Sequence, residues 1–202
     1  MTLWLAAAPL VLASSSSARR ALLEAAGIPI EVRAADVDER SIEASAPVDR
    51  PGPVAELLAA EKARTIASAC PGRLVVGADQ TLALDDRRFS KPSDRARARE
   101  QLLMLSGRTH ELHSAIVFVR DATVVCEHVG TARLTMRSFS DRFLDAYLEA
   151  VGSAATASVG AYHFEGPGIQ LFERVEGDYF TILGLPLLTV LDVLRRYGYL
   201  IP

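Results

Sequence analysis

Leu74-Val75-Val76-Gly77-Ala78-Asp79-Gln80-Thr81 is an apolar run that stops at a carboxylate. Leu74, Val75 and Val76 are continuously apolar and two of them are β-branched, the composition of a strand buried on both faces of a sheet. This predicts an α/β chain with Asp79 at a strand's C-terminal end. In open α/β sheets that edge gathers ligands, and Gly77 and Ala78 leave room for one to approach the backbone. A second reading stays open, in which Asp79 starts a turn into another strand over 81–84.

Upstream, residues 10–13 read as the first buried strand. They close an apolar run, 3–13, that superficially looks like a secretory signal, but no Lys or Arg precedes it, and Arg19 and Arg20 follow it instead. Ser14-Ser15-Ser16-Ser17 comes next, then a predicted helix over 18–26 closed by Gly27. The hydroxyls suit a helix N-cap, and the first-turn N–H groups suit an anion. Arginines in a first turn oppose the helix dipole by about 0.3–1 kcal/mol each, so Arg19 and Arg20 favour a bound anion over a solvated pair. The loop is not a Walker sequence, which needs glycines and a final Lys-Ser/Thr.

A second strand is expected at 30–34, with Asp36, Asp38 and Glu39 clustered in the connection after it. Either a metal or basic partner, or plain solvent, relieves the repulsion among three such acids. Residues 45–53, rich in proline and polar groups, read as a loop. A helix over 54–69, ended by Pro71 and Gly72, places Leu58, Lys62 and Ile66 on one face. Lys62 interrupts that apolar stripe, either snorkelling to the surface or pointing into a cleft at a phosphate.

Lys91-Pro92 ends a loop, and Ser93-Asp94 caps a helix running to 105, closed by Ser106-Gly107. Strands are expected over 112–119 and 123–137, joined near Asp121. His110 and His113 lack further ligands at metal spacing and read as strand-edge residues. Ser140 caps a helix over 141–151 with Phe143, Leu144 and Tyr147 on its core side. The glycine-rich segment 159–168 leads into a strand over 169–175. Its Glu165 is either an acceptor for a base's N–H groups or a solvated acid. Gly184-Leu185-Pro186 opens a last helix packing through Leu187, Leu188, Leu191 and Leu194.

With 202 residues, half of them apolar, the chain is expected to form a single domain over 1–202, with two lobes around a central cleft. A net charge of −3 argues against a nucleic-acid polymer as partner, because counterion release needs a basic footprint. The two cysteines, Cys70 and Cys126, form neither a disulfide framework nor a zinc pattern and fit a reducing cytoplasm. No stretch approaches the roughly 20 uninterrupted apolar residues of a membrane span.

Taken in order, these pieces resemble the Maf family of nucleoside triphosphate pyrophosphatases, which belongs with the inosine triphosphate pyrophosphatase superfamily. The likeness spans nearly the whole chain. It rests on Leu12-Ala13-Ser14-Ser15-Ser16-Ser17-Ala18-Arg19-Arg20, Val37-Asp38-Glu39, Glu61-Lys62-Ala63, Gly77-Ala78-Asp79, Lys91-Pro92 and Leu105-Ser106-Gly107. Gly160-Ala161-Tyr162, Glu176-Gly177-Asp178-Tyr179 and Gly184-Leu185-Pro186-Leu187 complete it. The resemblance implies a mixed, strongly twisted sheet with flanking helices.

It also implies hydrolysis between the α and β phosphates of a nucleotide, giving the monophosphate and pyrophosphate with a divalent cation, Mg²⁺ or Mn²⁺. Asp79 matches the catalytic carboxylate, as base, metal ligand or both. Ser14, Arg19, Lys62 and Lys91 match the phosphate-site residues, and Glu39 a second acid at the metal. Gln80 and Glu165 resemble the branch that acts on 7-methyl-GTP, whose cationic base suits a nearby carboxylate. Ala18 departs from both branches, standing where that one carries Trp and the pyrimidine branch Arg, so a stacking group is missing. Ser17 replaces the family proline, and Val159 and His163 depart from the commoner residues of their loop.

The expected partner is a small nucleotide in the cytoplasm, and a homodimer is plausible on the resemblance alone. The favoured role is housecleaning of modified nucleotides. Against it stand a dTTP- or UTP-preferring pyrophosphatase and a nucleotide-binding regulator of cell division without turnover. An aspartyl-phosphate phosphatase is a more distant reading, since Asp79 lacks the paired Asp-x-Asp motif.

Overall fold

The computed structural model describes residues 3–44, 46 and 50–202, so the loop expected at 45–53 lies partly outside the described residues. The chain forms two compact units, one from Met1–Gln80, His113–Gly130 and Asp178–Pro202, the other from Thr81–Leu112 and Thr131–Gly177.

The first unit begins with β1 (Leu10–Ala13), buried at all four positions. Helix α1 (Ser17–Ala25) follows, its N-cap Ser16 accepting from the Arg19 amide, and Gly27 turns the chain back at φ +71°. Strand β2 (Ile30–Val32) is two residues shorter than predicted. Glu39 does not stay in the acidic connection but opens a short helix, α2 (Glu39–Ala44). Helix α3 (Pro51–Ser68) starts three residues before the expected 54, because Pro51 takes the first helical position, where its missing N–H costs nothing.

Strand β3 (Leu74–Leu84) corrects both readings of Asp79, since one continuous 11-residue strand replaces a strand end and a turn. What stops at that point is its neighbour. β1 pairs parallel with β2 and with β3, and its last pair is Ala13↔Gly77, two residues short of Asp79.

Period-two alternation divides the first unit's core. Leu10, Leu12, Leu74, Val76, Ile116 and Phe118 pack with Leu23 of α1 and with Leu187, Val190 and Leu194. Val11, Ala13, Val75, Ala115 and Val117 face Ala55, Ala59 and Ala63 of α3. The small residues of α3 bring its backbone onto the sheet. A Cβ on Gly77 would lie 2.1 Å from the Ala59 carbonyl oxygen and 2.8 Å from the Ala63 nitrogen, so only glycine fits.

In the second unit the end of β3 pairs antiparallel with β4 (Arg87–Phe89), a three-residue strand that the sequence pattern did not announce. Helix α4 (Arg95–Leu105) is capped by Asp94. The long strands β5 (Thr109–Arg120) and β6 (Thr123–Met136) contribute His113–Gly130 to the first unit and their remaining residues to the second, and α5 (Asp141–Val151) is capped by Ser140 as expected. Pro167–Leu171 is a 3-10 turn rather than the start of a strand, so β7 is Phe172–Glu176, antiparallel to β6. His110 is not at a strand edge. β5 lies between β3 and β6, and His110 is buried with Nε2 2.8 Å from the Tyr162 hydroxyl.

The chain closes with a four-residue helix, α6 (Tyr179–Ile182), capped by Asp178, and with α7 (Leu187–Arg196). Leu187 and Leu194 pack as expected, whereas Leu188 is 63% exposed. The seven strands among the described residues form one mixed sheet in the order β2-β1-β3-β5-β6-β7, with β4 on β3, and helices flank it. Among the described residues no helix is long and apolar enough to cross a membrane.

Candidate functional site

The first unit gathers Ser14, Arg19, Glu39, Lys62, Asp79 and Gln80, which come from five different elements or their ends. Lys62 does not snorkel. Its ammonium lies 2.6 Å from Asp79 Oδ1 and 2.6 Å from Glu39 Oε1. Lys62 and Asp79 are both buried, and Glu39 is about half exposed. Helix α3 can deliver a lysine here because its alanines hold it close to β3 at Gly77.

Burial pushes the Asp79 carboxyl above the usual carboxylate range, against the pull of Lys62 and then of Arg19 toward the charged form. Burial likewise lowers the Arg19 guanidinium from its usual value, with Asp79 and Glu39 opposing that shift. The group remains a cation, since arginine does not deprotonate in proteins.

Arg19 is built into the site by its backbone neighbours. Nη1 donates to the Ala78 carbonyl (2.7 Å) and to Ser14 Oγ (3.1 Å), and Nε donates to the Gly184 carbonyl (2.8 Å). Ser14 Oγ also accepts from the Ser16 amide at 3.2 Å, leaving its own proton to donate. Arg20 plays no comparable part and forms an exposed i,i+4 pair with Glu24. The arginine pair therefore divides into one half-buried strut and one solvated bridge. Ala18, half-buried in the first turn of α1, presents only a methyl group.

Gln80 Nε2 donates to Ser114 Oγ (2.9 Å) and to the carbonyls of Ile182 (3.1 Å) and Thr181 (3.2 Å). Ser114 and Thr181 are buried and were not anticipated. Ser114 carried a faint signal, as a lone hydroxyl beside the apolar run 115–119. The carbonyl partners of Arg19 and Gln80 had none. Lys91 and Glu165 belong to the second unit, Lys91 exposed ahead of α4 and Glu165 exposed ahead of the Pro167–Leu171 turn.

The donor set around Asp79 suits a hard divalent cation. Two carboxylates, Asp79 and Glu39, already share one cationic group, and Mg²⁺ is held by one or two carboxylates together with substrate phosphates. Among the described residues no cluster of three or more His, Cys, Asp or Glu stands ready for a metal by itself.

Comparison with known proteins supplies the wider context. A family model described as Maf-like protein matches residues 9–197. A nucleoside triphosphate pyrophosphatase of Rhodopseudomonas palustris (strain BisB18) is 52% identical over 196 residues, 97% of each chain. A protein of the same name from strain HaA2 is 54% identical over 195 residues, 96% of each. A 7-methyl-GTP pyrophosphatase of Rhizobium etli is 52% identical over 193 residues, 94% of this chain and 96% of that one. Among solved structures, a HAM1 protein from Coxiella burnetii overlaps 63% of this chain and 72% of its own at a TM-score of 0.41 and 17% identity, too loosely to add to the assignment.

Proposed function

This chain belongs to the Maf family, and on that premise we propose that it is an enzyme that hydrolyses nucleoside triphosphates to the monophosphate and pyrophosphate. The observation that carries the reading is the buried Lys62–Asp79 pair, bridged to Glu39, beside a helix N-terminus supplied with Ser14 and Arg19.

The chemistry follows from the geometry. The first-turn amides of α1, the Ser14 hydroxyl and the Nη2 group of Arg19 would take phosphate oxygens. Asp79, hydrogen-bonded by Lys62, orients an attacking water and accepts its proton. Burial aids that step, because a carboxylate whose pKa is raised is a stronger base than a free one. Lys62 keeps the carboxylate in one rotamer and screens it from the incoming polyphosphate. Asp79 and Glu39 would hold the divalent cation. When bound, such an ion neutralises phosphate charge and lowers the pKa of bound water.

The finer reading is a preference for 7-methyl-GTP. Gln80 and Glu165 support it, together with the name of the Rhizobium etli relative. A pyrimidine preference remains the competing specificity because Ala18 supplies no stacking group. The two free cysteines agree with a cytoplasmic setting.

The test is pyrophosphate release with Mg²⁺ from 7-methyl-GTP, GTP, dTTP, UTP and CTP, for wild type and Asp79→Asn in parallel. Turnover that falls by at least about a thousandfold in the variant supports the enzyme. Nucleotide binding without turnover would instead favour the regulator.

A further inference from the structure

The orientation of the Gln80 carboxamide follows from its partners. The nitrogen and oxygen of a glutamine amide are alike in shape, so neighbours must assign them. Two of the three neighbours are the carbonyls of Thr181 and Ile182, which only accept, so the atom facing them is the NH₂ group. The third, Ser114 Oγ, donates its own proton to the Thr181 carbonyl at 2.7 Å and so turns a lone pair toward Gln80. All three interactions point the same way, and the amide nitrogen is fully engaged with the end of α6.

The oxygen is left on the opposite side, toward Gly184. A Cβ on Gly184 would lie 3.6 Å from Gln80 Oε1 and 3.6 Å from Arg19 Nη2, and the residue's φ of +91° disfavours any other side chain. Among the described residues no group donates to Oε1. The side toward Gly184 is thus bordered by an acceptor whose direction is fixed from behind.

We propose that Ser114 is a positioning residue, which holds Gln80 so that only its carbonyl oxygen meets the ligand, and that the group recognised there is a hydrogen-bond donor. This rests on reading the site as a nucleotide site. The donor is an N–H of the base or an O–H of the sugar. A ligand that presents only carbonyl or ether oxygen to Gln80 is rejected, because the amide cannot turn its NH₂ outward without abandoning Ser114 and two carbonyls.

Calorimetric titration with α,β-methylene GTP and three relatives tests this. One relative is N1-methylated, one lacks the 2-amino group and one is 2′,3′-dideoxy. Wild type should bind one of the three about tenfold more weakly than the parent, and which one it is separates base from sugar. In Ser114→Ala the preference should shrink to within about twofold, and Ser114→Thr, which keeps the hydroxyl, should restore it. Equal binding of all four by wild type overturns the proposal. So does an Ser114→Ala protein that keeps the full preference while only its melting temperature falls, since Ser114 would then be packing alone. Failure of wild type to bind the parent compound would sink the nucleotide reading itself, and the proposal with it.

Discussion

Removing the Lys62 ammonium leaves Asp79 buried without its nearest cation, and the size of the effect can be worked out from the pair. Lys62→Met keeps the length of the stem and deletes a charge that lies 2.6 Å from Asp79 Oδ1, with each side chain 11% exposed. Breaking a buried pair by removing one partner costs about 3–5 kcal/mol. The contact to Glu39, whose side chain is 52% exposed, contributes less than about 1 kcal/mol of this.

Asp79 has one escape, which is to take up a proton. Burial already raises its pKa, and without Lys62 it rises further. A carboxyl whose folded pKa exceeds its unfolded value gains a proton on folding. The variant is therefore least impaired near pH 5 and loses stability as pH rises through the raised folded pKa, by up to about 1.4 kcal/mol per pH unit, before levelling off. Urea unfolding at pH 5 and pH 8 reads this directly. Adding Asp79→Asn to Lys62→Met removes the stranded charge and should recover about 2 kcal/mol at pH 8, while turnover stays absent. A deficit of equal size at both pH values, with no recovery in the double variant, would refute the reasoning.

Three other outcomes follow from the same contacts. Gly77→Ala drives a methyl into the Ala59 carbonyl, so α3 must retreat by about an ångström. Unfolding should show a loss of about 2–4 kcal/mol together with a fall in kcat, because Lys62 rides on that helix. If Asp79 accepts the proton as proposed, the acid limb of kcat/KM should lie above the ordinary aspartate range, since burial raises its pKa. Burial holds His110 down to about 4, so the unfolded chain takes up a proton that the folded one refuses. Stability should fall by about 3 kcal/mol as pH drops from 6.5 to 4, and His110→Phe should flatten that slope in urea titrations while lowering the plateau, because Tyr162 loses its partner.

Local signals carried the reading of the fold a long way. The helix over Ser17–Ala25 was legible because a serine cap and a positive-φ glycine bracket it, and α4 and α5 were legible for the same kind of reason. The α/β class and the mixed sheet with flanking helices agree with what the apolar runs and the Maf resemblance implied. Strand β3 was misread where Gly77, Asp79 and Gln80 break the apolar pattern. A strand interior tolerates those residues only when a helix backbone, a lysine and a helix C-terminus wait for them. Such partners lie 14 to 102 residues away along the chain, and two of Gln80's three are backbone carbonyls, which leave no mark in sequence. Lys62 was singled out by its place in an apolar stripe, but spacing alone could not say which way it points.

The core that holds β1 also dictates when this protein can finish folding. Leu10 and Leu12 share their cluster with Ile116 and Phe118, and with Leu185, Leu187 and Val190. During synthesis at about 5–20 residues per second, the first strand therefore waits roughly ten to forty seconds for the helix that covers it. Over that interval one face of Leu10 to Ala13, an apolar segment of high strand propensity, is only partly covered, by Leu23 and Ile28, the kind of sequence that chaperones shield and that aggregates when they do not. The second unit's contacts, drawn from 81–112 and 131–177, are all available before α7 leaves the ribosome. Its elements are thus the ones placed to condense first, and the face of β1 that α7 covers is completed last.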